Sequence, residues 1–202
     1  MSMRELHVIS NGMSMERLIK HAMEMQAYID YLHIRERDKD ARTIYQGVEA
    51  LKKAGFPVSK IVVNDRIDVA LLTGVTRVQL GETGLPVQQI KKSFPFLHVG
   101  ASVHSLDGAI KAVEAGADSL IYGHIFPTAS KPAIPARGMK ALQKVAEAIS
   151  IPLVAIGGIQ PAHVPDILQA GASGVAVLSG ILSNENPVKQ AISYRKMVKR
   201  ET

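Results

Sequence analysis

Apolar residues recur along this chain in two alternating periods. Short aliphatic runs, either strictly alternating or apolar throughout, are followed by stretches with apolar positions three and four apart, and the pair repeats from one end to the other. Glu5 to Ser10 reads as a strand, and Met13 to Ala27 as a helix with Met15, Leu18, Ile19, Ala22 and Met23 on one face. Tyr28 to Arg37 carries the second strand. The helix after it, from about Lys39 to Ala54, stops at Gly55-Phe56-Pro57. Lys60 to Asn64 is apolar at its centre, as a strand covered on both faces is. Further strands fall at Thr76 to Leu80, Leu97 to Val103, Ser119 to Tyr122, Ile151 to Ile156 and Gly174 to Leu178. Helices fall between and after them, over Asp65 to Leu72, Pro86 to Ser93, Leu106 to Ala115, Gly138 to Ile149, Pro161 to Ala170 and Pro187 to Lys199.

Strands that alternate with helices through short loops pair in parallel with right-handed crossovers, and eight such units close into a barrel. The pattern therefore predicts an α/β protein, a single-domain (β/α)8 TIM barrel over residues 1–202. An open doubly wound sheet is the alternative if one strand is misread.

Composition narrows the partners. Aliphatic residues dominate and tryptophan is absent, which suits a parallel sheet covered by helices. The formal charge of +6 comes partly from basic residues at helix ends or in the final turn (Lys189, Arg195, Lys196, Lys199, Arg200), where they fit the negative end of a helix dipole or solvate it. Basic and aromatic residues do not interleave, so a small anionic ligand fits better than nucleic acid. The absence of cysteine excludes disulfides, thiolate metal sites and thiol nucleophiles. No run reads as a signal peptide or membrane span, so a cytoplasmic protein without a membrane partner is expected. A homo-oligomer is compatible with the sequence.

In a barrel, chemistry gathers where strands end. After the sixth strand, Gly123-His124 opens a long polar loop holding Thr128, Ser130 and Lys131, with Pro127, Pro132 and Pro135 restricting its backbone. His124 and His104 are the acid–base candidates. His33, Arg35 and Arg37 share one parity and are expected to point to one side, forming with Lys131 a cationic cluster above the mouth. Rim pairing of the arginines with Glu36 or Asp38 is the alternative. Asn64, Asp65 and Ser102 follow or end neighbouring strands. Gly157-Gly158 and Ser179-Gly180 follow the last two, where barrels bind phosphate through bare backbone amides. A side chain at position 158 is expected to block that phosphate while the protein stays folded. One carboxylate among scattered histidines does not make a metal cluster, and no cofactor is expected.

At these residues the chain resembles a known family. IRER, NDRIDVAL, IFPTASK, AIGGI and GVAVLSGI, in this order from Leu6 to about Ile181, resemble the thiamine-phosphate synthase superfamily. The resemblance implies that Arg35, Arg37, Asn64, Ser102, Thr128, Ser130 and Lys131 match diphosphate and pyrimidine contacts, and that Asp65 matches one of two magnesium-binding aspartates. The second aspartate is replaced by Gly84. His124 stands where synthases have proline. Both departures resemble the TenI branch, the thiazole tautomerases, whose corresponding histidine is the proposed acid–base residue. The expectation is therefore an isomerase: cofactor-independent aromatisation of a thiazole carboxylate phosphate, with a thiazole phosphate as its small-molecule partner. The alternatives are a magnesium-dependent thiamine-phosphate synthase and a non-catalytic regulator that binds thiazole or thiamine phosphates.

Overall fold

The computed structural model describes residues 4–130 and 132–199. Eight strands pair in parallel in sequence order, and the last closes on the first. They are β1 Glu5–Ile9, β2 Tyr31–Ile34, β3 Ile61–Asn64, β4 Arg77–Leu80, β5 His98–Val103, β6 Ser119–Gly123, β7 Leu153–Ile156 and β8 Gly174–Val177. The open-sheet alternative is thereby excluded. The helices are α1 Met15–Met25, α2 Ala41–Lys53, α3 Ile67–Thr73, α4 Val87–Ser93, α5 Leu106–Glu114, α6 Met139–Ala148, α7 Val164–Gln169, α8 Ser179–Leu182 and α9 Pro187–Val198.

Local chemistry sets several boundaries. Ser14, Asp40, Ser105 and Asn186 each accept a hydrogen bond from a backbone N–H in the first turn of the helix they precede, caps worth about 1 kcal/mol apiece. Gly74 ends α3 in the left-handed conformation, φ 72°. The helix expected over Pro161 to Ala170 begins instead as a 3-10 turn at Pro161–His163 before α7 starts. Ser179-Gly180, expected in a loop, opens the four-residue α8.

The main core lies between the outward strand faces and the helices, with Leu6, Val8, Leu32, Ile34, Val63 and Val78 against residues such as Leu18, Val48 and Leu51. A smaller apolar cluster fills one side of the barrel interior: Ile9, Ile121, Val154 and Ala176, with Ile156 and Leu178 packed on it. The rest of the interior is polar. His7, His33 and Gln79 are all buried there. Arg195 does more than complement a helix end, since Nε donates to Tyr28 O at 2.7 Å and Nη2 to Asp30 Oδ2 at 2.5 Å. This ties α9 to the turn before β2. Among the described residues no helix is long and apolar enough to cross a membrane.

Candidate active site

The C-terminal mouth is built from the residues that end or follow the strands. β2 stops at Ile34, and the half-buried Arg35 is anchored by its backbone N–H, which donates to the fully buried Ser10 Oγ at 2.8 Å. Burial, and then the adjacent charge of Arg37, lower the affinity of the Arg35 guanidinium for its proton, while Asp65 and Glu36 act in the opposite sense. Arg35, Arg37 and Asp65 therefore share one electrostatic neighbourhood. Among the described residues neither guanidinium makes a side-chain hydrogen bond or an ion pair. Glu36 is buried and pairs with Lys39, whose ammonium also bonds Gly12 O and Met13 O. The rim pairing considered from sequence is thus corrected: Lys39 takes the carboxylate and leaves both arginines for solvent or a ligand.

At the end of β3 the chain turns sharply at Asp65, which adopts φ 58°. Its N–H donates to Gln79 O at 3.0 Å, and its Oδ1 accepts from Gly81 N–H at 2.7 Å, so the carboxylate is pinned between the ends of β3 and β4. Asn64 Oδ1 is buried without a hydrogen-bond partner. Ser102, on β5, accepts from Gln79 Nε2 at 3.0 Å.

His33 does not join this group. It lies within the barrel, 1 % exposed, with Nε2 2.9 Å from His7 Nδ1. The parity argument put it on the same side as Arg35 and Arg37; the structure places it deeper, in the barrel interior with His7 and Gln79, below the end of β2 at Ile34.

The long loop is fastened at its base. Arg137 N–H donates to His124 O, Gly138 N–H donates to Ile125 O, and His124 Nε2–H donates to Ile134 O at 3.0 Å across the loop. His124 is 4 % exposed. His104 is half-buried; its Nδ1 donates to Gly123 O at 2.6 Å, and its Nε2 lies 3.8 Å from Glu82. Thr128 Oγ1 accepts from Ser130 N–H at 3.3 Å. Lys131 lies outside the described residues. Among the described residues a hollow of about 640 Å³ is lined by Pro127 to Ala129 and Pro132 to Ala136. None of the polar groups at the ends of β2, β3 and β5 lines it, so it belongs to the loop and not to the mouth.

The glycines at the ends of β7 and β8 are packed from behind. A Cβ on Gly157 would lie 2.1 Å from His124 Cβ, and one on Gly158 would lie 2.4 Å from Pro127 O; both residues have positive φ. The expectation that a side chain at 158 merely blocks phosphate is therefore corrected, because it would collide with the backbone of the loop. Gly180 makes room for Tyr194, whose hydroxyl donates to Ile159 O at 2.7 Å and whose pKa burial pushes up to about 12. Ser179 is exposed.

The polar barrel interior escaped sequence reasoning. Glu5 and His7, Tyr31 and His33, Arg77 and Gln79, and His98 and Ser102 share the inward parity of their strands, a signal hidden because alternation is usually read for its apolar face.

An eight-stranded parallel barrel of this kind carries its active site at the mouth just described. The sequence model of the family described as thiamine monophosphate synthase matches residues 6–181. Thiamine-phosphate synthase of Pyrococcus furiosus is 35% identical over 168 residues, covering 83% of this chain and 81% of the relative. That of Chloroflexus aurantiacus is 35% identical over 197 residues, covering 94% and 88%. A solved thiamine phosphate pyrophosphorylase from Pyrococcus furiosus superposes with TM-score 0.85 at 32% identity, covering 96% and 95% of the two chains. A 3-hexulose-6-phosphate synthase shares the fold, with TM-score 0.77 at 17% identity. The chain belongs to the thiamine monophosphate synthase family.

These relatives correct the expected activity. Synthases, which are transferases, match along most of the chain, so the thiazole tautomerase and the isomerase class expected from His124 and Gly84 give way to the synthase alternative. The proton relay through His124 and His104 belonged to the tautomerase reading and goes with it.

Proposed function

We propose that the protein is a thiamine-phosphate synthase, coupling a pyrimidine diphosphate to a thiazole phosphate. The thiazole ring nitrogen supplies the electron pair for a new bond to the carbon of the pyrimidine substrate that carries diphosphate, and that carbon's bond to oxygen breaks, so that diphosphate leaves with its electron pair. The observation that carries this reading, beside the family, is the pair of guanidiniums on Arg35 and Arg37, which make no ion pair among the described residues and lie in the field of Asp65.

Charge builds on the leaving diphosphate as the bond breaks, so preorganised cations there stabilise the transition state more than the ground state. Arg35 is the better placed, because its backbone is anchored on Ser10 and its guanidinium is partly out of water. Asn64 and Ser102 offer polar groups to the pyrimidine. Thr128, Ser130 and Lys131 extend the diphosphate cradle from the loop, and the amides of Gly157, Gly158, Ser179 and Gly180 receive the thiazole phosphate. His124 holds the loop closed through Ile134, and His104 braces Gly123; both are positioning residues in this reading.

Magnesium belongs to the proposal. The ion is commonly held by one or two carboxylates, with substrate phosphate oxygens and water completing its octahedron. Asp65 fits as the carboxylate, pinned by Gly81 beside the arginines. When bound, Mg²⁺ would neutralise charge on the diphosphate oxygens.

The test is release of diphosphate from a mixture of the two substrates, followed with magnesium and with chelator. Magnesium-dependent release with formation of the coupled product is expected. No product under either condition overturns the reading.

A further inference from the structure

The opposite end of the barrel also carries a built polar cavity. Five strands begin there with a polar residue: Glu5 on β1, Tyr31 on β2, Arg77 on β4, His98 on β5 and Ser119 on β6. Behind them lie His7, His33 and Gln79, and together with a few apolar neighbours these residues line a space of about 160 Å³. Barrel interiors are ordinarily filled by branched apolar side chains, and this one has such packing only on the side of Ile9, Ile121, Val154 and Ala176.

The hydrogen bonds in this cavity account for every acid and leave a base over. Glu5 Oε2 accepts from His7 Nε2 at 3.1 Å. His7 Nδ1 meets His33 Nε2 at 2.9 Å, and His98 Nε2 meets Ser119 Oγ at 3.1 Å. The Arg77 guanidinium lies over the Tyr31 ring, 4.5 Å from its centroid, and has no carboxylate or other hydrogen-bond acceptor among the described residues. A half-buried guanidinium is a five-donor fork whose natural complement is a planar or tetrahedral oxyanion.

We propose that this cavity is a second ligand site, separate from the mouth, which takes one small oxyanion, either inorganic phosphate or the carboxylate of a short organic acid, on Arg77 with His98, Ser119 and the Tyr31 hydroxyl around it. A cavity of this size accommodates such an anion, and its wall offers more donors than acceptors.

Charge balance gives the site a pH signature. The groups that face it are Glu5 and His7 from β1, Tyr31 and His33 from β2, Arg77 from β4 and His98 from β5, while Lys91 of α4 and Asp118 before β6 act on His98 from outside. β3 and β7 contribute only apolar residues. With neutral imidazoles the charges of Glu5 and Arg77 cancel, so a bound anion is balanced by uptake of a proton on His98, whose Nε2 already faces Ser119 in the cavity wall. Affinity therefore rises as pH falls through the histidine range.

The experiment follows the imidazole C–H resonances of His7 and His98, assigned with His7→Gln and His98→Gln, while the full chain is titrated with inorganic phosphate and separately with malonate. His21 on α1, half-buried beside Glu24 and outside the cavity, serves as an internal control. A saturable shift at His98 in the millimolar range, stronger at lower pH, retained in Arg35→Ala and lost in Arg77→Met, is the expected result. Saturation by phosphate alone or by malonate alone supports the site and identifies its ligand. No saturable shift with either, or equal shifts in wild type and Arg77→Met, overturns it. Should Arg77→Met fail to fold, Arg77→Lys keeps the charge without the fork, and unchanged affinity in that variant overturns the assignment to Arg77.

Discussion

Inside the barrel, His7 stands between Glu5 and His33, with Nε2 3.1 Å from Glu5 Oε2 and Nδ1 2.9 Å from His33 Nε2. An ionised carboxylate only accepts, so the His7 proton sits on Nε2, Nδ1 accepts, and His33 Nε2–H is the donor. This leaves His33 Nδ1 as a bare acceptor, and its polar neighbour is Asn64, whose own Oδ1 lacks a partner. An Asn64 amide turned with its Nδ2–H toward His33 Nδ1 satisfies the histidine and frees the amide oxygen for a ligand at the mouth. With the amide so turned, hydrogen bonds run along the barrel axis from the strand starts to the strand ends.

That arrangement predicts a pH-dependent stability. Burial first, and then the charge of neighbours, holds the pKa of His33 well below the ordinary histidine value and lowers that of His98. A histidine with a lowered folded pKa takes up its proton more readily when unfolded, so the native state keeps its full stability above the unfolded pKa of about 6.5 and loses it as pH falls below that. Urea melts between about pH 8 and pH 5 should show falling stability on the acid side. His98→Gln should flatten that slope; an unchanged slope would assign the loss to other groups.

Arg35→Ala should damage catalysis more than Arg37→Ala, because Arg35 is half-buried and Arg37 exposed. Loss of a hydrogen bond to a charged group costs about 1.5–3 kcal/mol, so kcat/KM for the pyrimidine diphosphate should fall roughly 10- to 150-fold in Arg35→Ala. Steady-state diphosphate release at low and high salt checks this. The loss in Arg37→Ala should be smaller and more salt-sensitive, as befits an exposed charge.

Gly157→Ala should destabilise the whole loop base. The new Cβ would meet His124 Cβ at 2.1 Å, at a backbone φ of 99° that alanine adopts only with strain. A loss of about 2–4 kcal/mol is expected, read as a lower urea midpoint with unchanged slope. A variant of normal stability would show that the loop shifts freely, against its fastening by His124 and Ile134.

The order of strands and helices was legible in the chain because each unit carries its own period, and the closed barrel followed from their number. Arg35, Asn64, Asp65 and Ser102 were legible because strand ends converge on the mouth by topology. His33 was legible as an inward residue by parity but not in its depth, since alternation gives a side and not a level along the barrel axis. His124 was legible as a special residue but not in its contacts: its bond to Ile134 O spans ten residues of irregular loop, which no local pattern encodes. Gly158 looked like a bare amide for phosphate, whereas its missing side chain also admits the backbone of Pro127.

The last prediction concerns Gly84, the residue that argued against a synthase. Its Cβ position lies 3.0 Å from Asp65 Oδ1 and 3.0 Å from Gly81 O, so an aspartate introduced there would set a second carboxylate against the first after a shift of a few tenths of an ångström. Without metal the two like charges repel, which raises the pKa of the pair and lowers stability. With Mg²⁺ the same two carboxylates bind one ion more tightly than Asp65 does alone. Gly84→Asp should therefore melt lower than wild type in chelator, gain more Tm on adding magnesium, and reach half-maximal diphosphate release at less magnesium. Asp65→Asn should lose both the magnesium-dependent Tm gain and the activity. If Gly84→Asp leaves the magnesium requirement unchanged while Asp65→Asn stays active, Asp65 does not hold the ion, and the arginines alone carry the diphosphate charge.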